Sequence, residues 1–161
     1  MLFGIFSKKA KLEQKKLIDE SLIRSAEMLK IQLMLCDVGT DEYNKFIKST
    51  SFSGYVCGFF DATVQHIGVE RPADRQITAL ITAGFYYLFQ GDHEKTLHHT
   101  KIFLDRQYDD EYCKHRGIGG NEYLSFMRGE IEIPNGLARM FHEFCAIDRG
   151  CVIFCGRLVQ G

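Results

Sequence analysis

The chain has 161 residues, of which 45% are hydrophobic, and its 20 Lys and Arg against 21 Asp and Glu give a formal net charge of −1. This length suits one domain with a single core that buries about two-thirds of the unfolded surface. The balanced charge removes the bulk electrostatic argument for nucleic acid or for an acidic partner. We therefore expect one domain, residues 1–161, whose charged patches are local.

The cysteines point to a reducing compartment. No two of them have the C-x-x-C spacing of a zinc ribbon or a thioredoxin motif, since they are Cys36, Cys57, Cys113, Cys145, Cys151 and Cys155. The apolar head, residues 1–6, is shorter than the apolar region of a signal peptide and far shorter than a membrane span. These features predict a cytoplasmic protein with mostly buried thiols.

The first predicted helix runs from about Ser7 to Cys36. Its apolar face has helical spacing and consists of Ile18, Leu22, Ser25, Leu29 and Leu33. Residues 1–11 combine apolar side chains with lysines. Such a head can be flexible, can pack on a partner subunit or, as the less favoured alternative, can contact a membrane surface.

Three further helices are predicted before residue 90. A short one spans about Asp41 to Lys48, and the serines of "KSTSFSG" can cap a second that reaches about Gly68. The outer face of that second helix, Asp61, Ala62 and Gln65, is expected to be solvated. The third, residues 77–89, is apolar almost all round, which is typical of a central helix or one at a subunit interface. Its second face carries our candidate partner-binding residues, Ala79, Ala83 and Tyr86.

The second half of the chain predicts three more helices and several irregular segments. One helix runs from Asp92 to about Cys113, with an apolar face formed by Leu97, Leu104, Tyr108 and Tyr112. "RGIGGNE", residues 116–122, is predicted as a flexible loop before a short helix over 121–128. "EIEIP", residues 130–134, is predicted to be extended, and the last helix lies around residues 137–144.

The fold class predicted is all-α, a single bundle of about five or six helices. The terminal run "CVIFCGRLVQG", residues 151–161, fits a buried strand as well as a buried helical turn. A small β-hairpin between residues 131–133 and 152–154 is therefore an alternative for the C-terminal region.

"FQGDHEKTLHHT", residues 89–100, is the densest cluster of potential metal ligands. Glu94 and His98 are one helical turn apart, and His66 or His142 could supply a third ligand from another helix. Glu111 and His115 repeat the spacing, but on one straight helix they would be rotated about 100° from the first pair. No E-x-x-H pairs or H-E-x-x-H motif occur, so a solvated ion pair is the preferred interpretation of Glu94 and His98.

One stretch has a family resemblance. "AGFYYLFQGDHEKTL", residues 83–97, resembles the middle of a tetratricopeptide repeat, with Gly84, Tyr87, Gly91, Asp92 and Glu94 at matching positions. The resemblance covers one repeat, residues 77–110, and a shift of 34 residues finds no second copy. It implies a helical hairpin whose glycine and tyrosine pack between two antiparallel helices, of a kind that commonly binds proteins or peptides.

Two functional hypotheses follow. The first is a non-enzymatic protein–protein interaction or regulatory domain that self-associates through Ala79, Ala83 and Tyr86, with plain core packing as the alternative role of these residues. The second is a metal-dependent helical enzyme or sensor that uses Glu94 and His98. A small-molecule pocket between aromatic-rich helices is a third possibility. We assign no catalytic residue, no cofactor and no nucleic-acid partner.

Overall fold

The computed structural model describes residues 3–68 and 74–148 of the chain. These residues form seven helices and no strand, which confirms the all-α class with more helices than the five or six predicted. The helices are α1 (Phe3–Met34), α2 (Asp41–Ile47), α3 (Thr50–His66), α4 (Asp74–Leu88), α5 (His93–Arg106), α6 (Asp110–Met127) and α7 (Gly136–Asp148). None of them is both long and apolar enough to cross a membrane.

The central helix is α3, which packs against α1, α4, α5 and α6. It begins where predicted, because the Ser49 side chain accepts a hydrogen bond from the Phe52 backbone N–H at its N-terminus. Its expected outer face is only partly solvated. Gln65 is exposed as predicted, but Ala62 is buried, and Asp61 is bonded to Arg116 of α6 at 2.7 Å. The prediction was wrong for Asp61 and Ala62 because α6 covers this part of the face.

The predicted loop "RGIGGNE" is part of helix α6, where its glycines allow a close crossing with α3. A Cβ added at Gly54 would lie 2.6 Å from the Tyr112 carbonyl oxygen, and one at Gly58 or Gly119 would overlap the carbonyl oxygen of the facing helix. Glycine lowers helix stability by about 1 kcal/mol relative to alanine. Here that penalty is offset by contact between two backbones, which only glycine permits.

The predicted helix from Asp92 to Cys113 is two helices. Helix α5 ends at Arg106. Helix α6 begins after Asp109, whose side chain accepts hydrogen bonds from the N–H groups of Glu111 and Tyr112. Aspartate competes well for free N–H groups at a helix start, which explains a break that contains no Gly or Pro. Glu111 and His115 therefore belong to a different helix from Glu94 and His98.

The N-terminus of α7 is held by side chains from two other helices. Glu122 of α6 accepts from the N–H groups of Asn135 and Gly136, at 2.8 and 2.9 Å, while Gln32 of α1 accepts from that of Leu137 at 2.9 Å. The preceding residues 131–133 form bends instead of the predicted extended segment. The other half of the proposed β-hairpin, residues 152–154, lies outside the described residues, so the hairpin is not confirmed.

Candidate interaction surface on the α4–α5 hairpin

Helices α4 and α5 form an antiparallel hairpin around the turn predicted from "QGD". Gly91 has a φ of +86°, and Asp92 begins α5 by accepting a hydrogen bond from the Lys95 backbone N–H. The Thr100 hydroxyl contacts that of Thr82 at 3.2 Å across the two helices. The chain reversal is therefore structural, as the sequence indicated.

His99 fixes the inner side of this hairpin to α3. Only 1% of it is exposed, and its ring lies 5.1 Å from Phe85, 5.0 Å from Phe89 and 5.3 Å from Phe52. Its Nδ1 is 2.6 Å from Ser53 Oγ. Burial, together with the nearby His98 and Lys95, lowers the pKa of His99 to about 3, so the ring is neutral at physiological pH.

The Ser53–His99 pair does not have the arrangement of a catalytic nucleophile and base. Ser53 is fully buried, and its hydroxyl donates to the Ser49 carbonyl oxygen at 3.1 Å. Both hydrogen bonds are satisfied when His99 Nδ1–H donates to Ser53 Oγ, the reverse of the proton transfer that activates a serine. The pair therefore serves packing and satisfies buried polar groups.

Glu94 and His98 are both exposed on α5, as expected for a solvated pair. His98 Nε2 lies 3.3 Å from the Lys48 carbonyl oxygen, to which it donates. His66 is at the far end of α3, about 25 Å along that helix from Lys48, and His142 is exposed beside Phe141 on α7. Among residues 3–68 and 74–148, no group of three His, Cys, Asp or Glu side chains is placed to hold a metal ion.

The face of α5 predicted to be buried is mostly exposed. Leu97 is 66% exposed and Leu104 50%, whereas the buried side carries Thr96, His99 and Phe103. Thr96 enters the core with its hydroxyl bonded to the Asp92 carbonyl oxygen at 2.7 Å. Apolar periodicity was misleading here because a neutral histidine and a self-satisfied threonine occupy inward positions.

Two of the three candidate residues on α4, Ala79 and Tyr86, lie one helical turn to either side of Thr82. Leu97 and Leu104 lie one turn to either side of Thr100, whose hydroxyl contacts that of Thr82, so all four border one seam. Tyr86 is 41% exposed and Ala79 is exposed, while Ala83 is half-buried against the core. Since Thr82 faces Thr100, Tyr86 one turn beyond Thr82 lies beside α5, with its ring 5.6 Å from that of His93. Four residues border this seam, and we call them the hairpin surface: Ala79, Tyr86, Leu97 and Leu104.

An open cleft of about 760 Å³ lies between α6 and α7. Ile118, Ile133 and Arg139 line it together with Glu122, whose carboxylate is already bonded to the start of α7. With Glu132 and Arg139, the lining has two carboxylates and one guanidinium, a formal charge of −1. The cleft therefore presents no strong charge that would select a ligand.

The hairpin differs from a tetratricopeptide repeat in its contacts. Gly84 makes room for the Phe60 ring of α3, and the Tyr87 hydroxyl lies 3.5 Å from Asp19 of α1. The resemblance had implied that both residues pack between the two hairpin helices. Instead, Gly84 faces α3 and Tyr87 faces α1. Comparison with protein-family models, curated proteins and solved structures finds no match for the chain.

Proposed function

We propose that this protein is a non-enzymatic protein–protein interaction domain that self-associates through the hairpin surface. The observation that carries the proposal is the exposure of Leu97 and Leu104 beside Tyr86 and Ala79 on two neighbouring helices. Apolar side chains grouped in this way on a folded surface are typical of an interface.

The underside of the hairpin supports this proposal. His99 and Phe85 hold α5 and α4 against α3, so the outer side chains are presented on a packed scaffold. A surface that is ordered before binding loses less conformational entropy when a partner docks.

The charges on the exposed flank of α5 favour a second copy as the partner. Glu94, Lys101 and Asp105 are exposed there and alternate in sign along the helix. In a two-fold symmetric dimer the same patch meets itself, so a patch with both signs can pair opposite charges. A patch of a single sign would repel its copy.

The experiment compares the molar mass of two variants, each with a glutamate in place of one exposed aliphatic side chain. We expect Leu104→Glu to shift the molar mass measured by light scattering toward the 18.5 kDa of one chain, because a charge would be desolvated at the interface. Ile133→Glu is the control, at a site outside the hairpin that is 68% exposed against 50% for Leu104, and it should leave the mass unchanged. Equal masses for both variants and the wild type would remove the hairpin surface from the proposal.

The second candidate function is a metal-dependent helical enzyme or sensor. Glu94 and His98 favour it, being exposed and one turn apart, with a third ligand required from another helix. This second function predicts that elemental analysis of the purified chain finds stoichiometric zinc or iron, lost in His98→Ala and retained in His115→Ala. Metal-free wild-type protein would leave the interaction proposal ahead.

We also propose a cytoplasmic location. Cys36, Cys57 and Cys113 are free thiols, which supports a reducing compartment. The backbone of residues 3–11 continues α1 toward the N-terminus, and contact of residues 1–11 with a membrane surface stays the less favoured alternative.

A further inference from the structure

Glu94 and His98 on α5 have the features of half a metal site. Both side chains are exposed, and they lie one helical turn apart. His98 Nε2 donates to the Lys48 carbonyl oxygen, which leaves Nδ1 as the ring nitrogen with a free lone pair. Metal-binding histidines usually hold one ring nitrogen in this way, because the bond to a carbonyl fixes both the tautomer and the direction of the ring.

The Glu94 carboxylate is free to bind a cation. It makes no hydrogen bond or ion pair with any other residue in the described parts of the chain. The pair with the same spacing on α6 differs. Glu111 accepts from Ser51 Oγ at 2.5 Å, and His115 Nδ1 donates to the Glu111 carbonyl oxygen of its own helix at 2.8 Å. Glu111 and His115 are therefore a matched control for Glu94 and His98.

Two ligands are too few for zinc, which is almost always bound by three or four protein side chains. In residues 3–68 and 74–148, no third His, Cys, Asp or Glu is placed to complete this pair. A second copy of the chain can supply the missing ligands because the pair adjoins the hairpin surface. Leu97 of that surface lies one helical turn from Glu94 and directly precedes His98.

Two-fold symmetry brings two such pairs together. When two copies of α5 pack antiparallel about an axis that crosses midway between Glu94 and His98, Glu94 of each chain lies opposite His98 of the other. Packed helix axes are about 8 to 10 Å apart, so all four side chains can reach one ion between them. Two carboxylates balance the charge of a divalent cation, and carboxylate with imidazole is a ligand set that binds zinc.

We propose that Glu94 and His98 of two copies bind one zinc ion across the two-fold axis of a dimer, and that zinc thereby strengthens self-association. This proposal rests on self-association through the hairpin surface and adds a regulator of it. An ion that binds only the dimer contributes its binding free energy to association. At a zinc concentration about tenfold above its dissociation constant, association becomes about tenfold tighter.

The test is sedimentation equilibrium of the full chain, once in EDTA and once in a titration with zinc chloride. Zinc should tighten association by about tenfold or more relative to EDTA, and equilibrium dialysis should find one zinc ion for every two chains. Glu94→Gln and His98→Ala should each abolish the zinc response and the zinc binding. His115→Ala, at the matched pair on α6, should keep both.

Several results would overturn the proposal. Zinc bound at one ion per chain without a change in mass would mean that the remaining ligands come from the same chain. A zinc response that persists in His98→Ala, or that disappears in His115→Ala, would indicate an adventitious ion only. Self-association in EDTA that zinc does not change would remove the zinc site and leave the hairpin surface as the interface. A monomer under both conditions would remove both.

Discussion

At the scale of single residues, His99 shows how a cluster of potential ligands divides between core and surface. His98 and His99 are adjacent, yet one is exposed with a bond to the Lys48 carbonyl oxygen and the other is stacked among phenylalanines. Helical angles from the sequence separated the two side chains. They did not show which was buried, because that depends on Phe52 and Ser53 of a different helix.

The neutral state of His99 predicts a loss of stability in acid. Its pKa is about 3 in the folded chain and about 6.5 when unfolded. Between these values the unfolded state binds the extra proton, so the free energy of unfolding falls as pH decreases, by up to about 1.4 kcal/mol per pH unit. We expect urea unfolding midpoints to decline from pH 6.5 to pH 4.5, and to decline less steeply in His99→Phe.

A substitution that removes no titratable group is the control for this prediction. Ile133→Ala should keep the same pH dependence as the wild type, since Ile133 is 68% exposed and lies outside the packing around His99. Carboxylates titrate in the same range in all three proteins, so the difference between their slopes is the informative quantity. Parallel curves for wild type and His99→Phe would contradict burial of a neutral imidazole at this position.

At the scale of helices, the predictions were accurate where one helix carries its own signals. The face of α1, the serine before α3 and the turn before α5 were all predicted from neighbouring residues. The helical state of the α6 glycines was not predicted, because it depends on close contact with the backbone of α3. One sequence pattern does indicate this contact. Gly54 and Gly58 are four residues apart, a spacing that places two glycines on one side of α3.

Two glycines of the α3–α6 pair are expected to respond to alanine in opposite directions. Gly58→Ala should lower the free energy of unfolding by about 2 kcal/mol or more, since the new Cβ overlaps the Arg116 carbonyl oxygen and the helices must separate. Gly117→Ala, in the open on α6, should raise it by about 0.5 to 1 kcal/mol. Chemical denaturation of both variants measures these changes. Stabilisation by Gly58→Ala would mean that the two backbones are not in contact.

At the scale of the whole molecule, the all-α class was confirmed. Residues 77–89 were expected to be central or at a subunit interface; the central helix is α3, and α4 keeps Ala79 and Tyr86 at the surface. The position of a helix depends on how many neighbours pack around it, which the apolar content of one helix does not determine. The Ala79 and Tyr86 positions nevertheless lie on the surface that the structure leaves exposed.

The most direct test of self-association is sedimentation equilibrium of the wild-type chain from about 1 to 100 µM, the range in which moderate affinities are resolved. We predict an average mass that rises with concentration from the 18.5 kDa of one chain toward twice that value. A soluble monomer at every concentration would contradict the account.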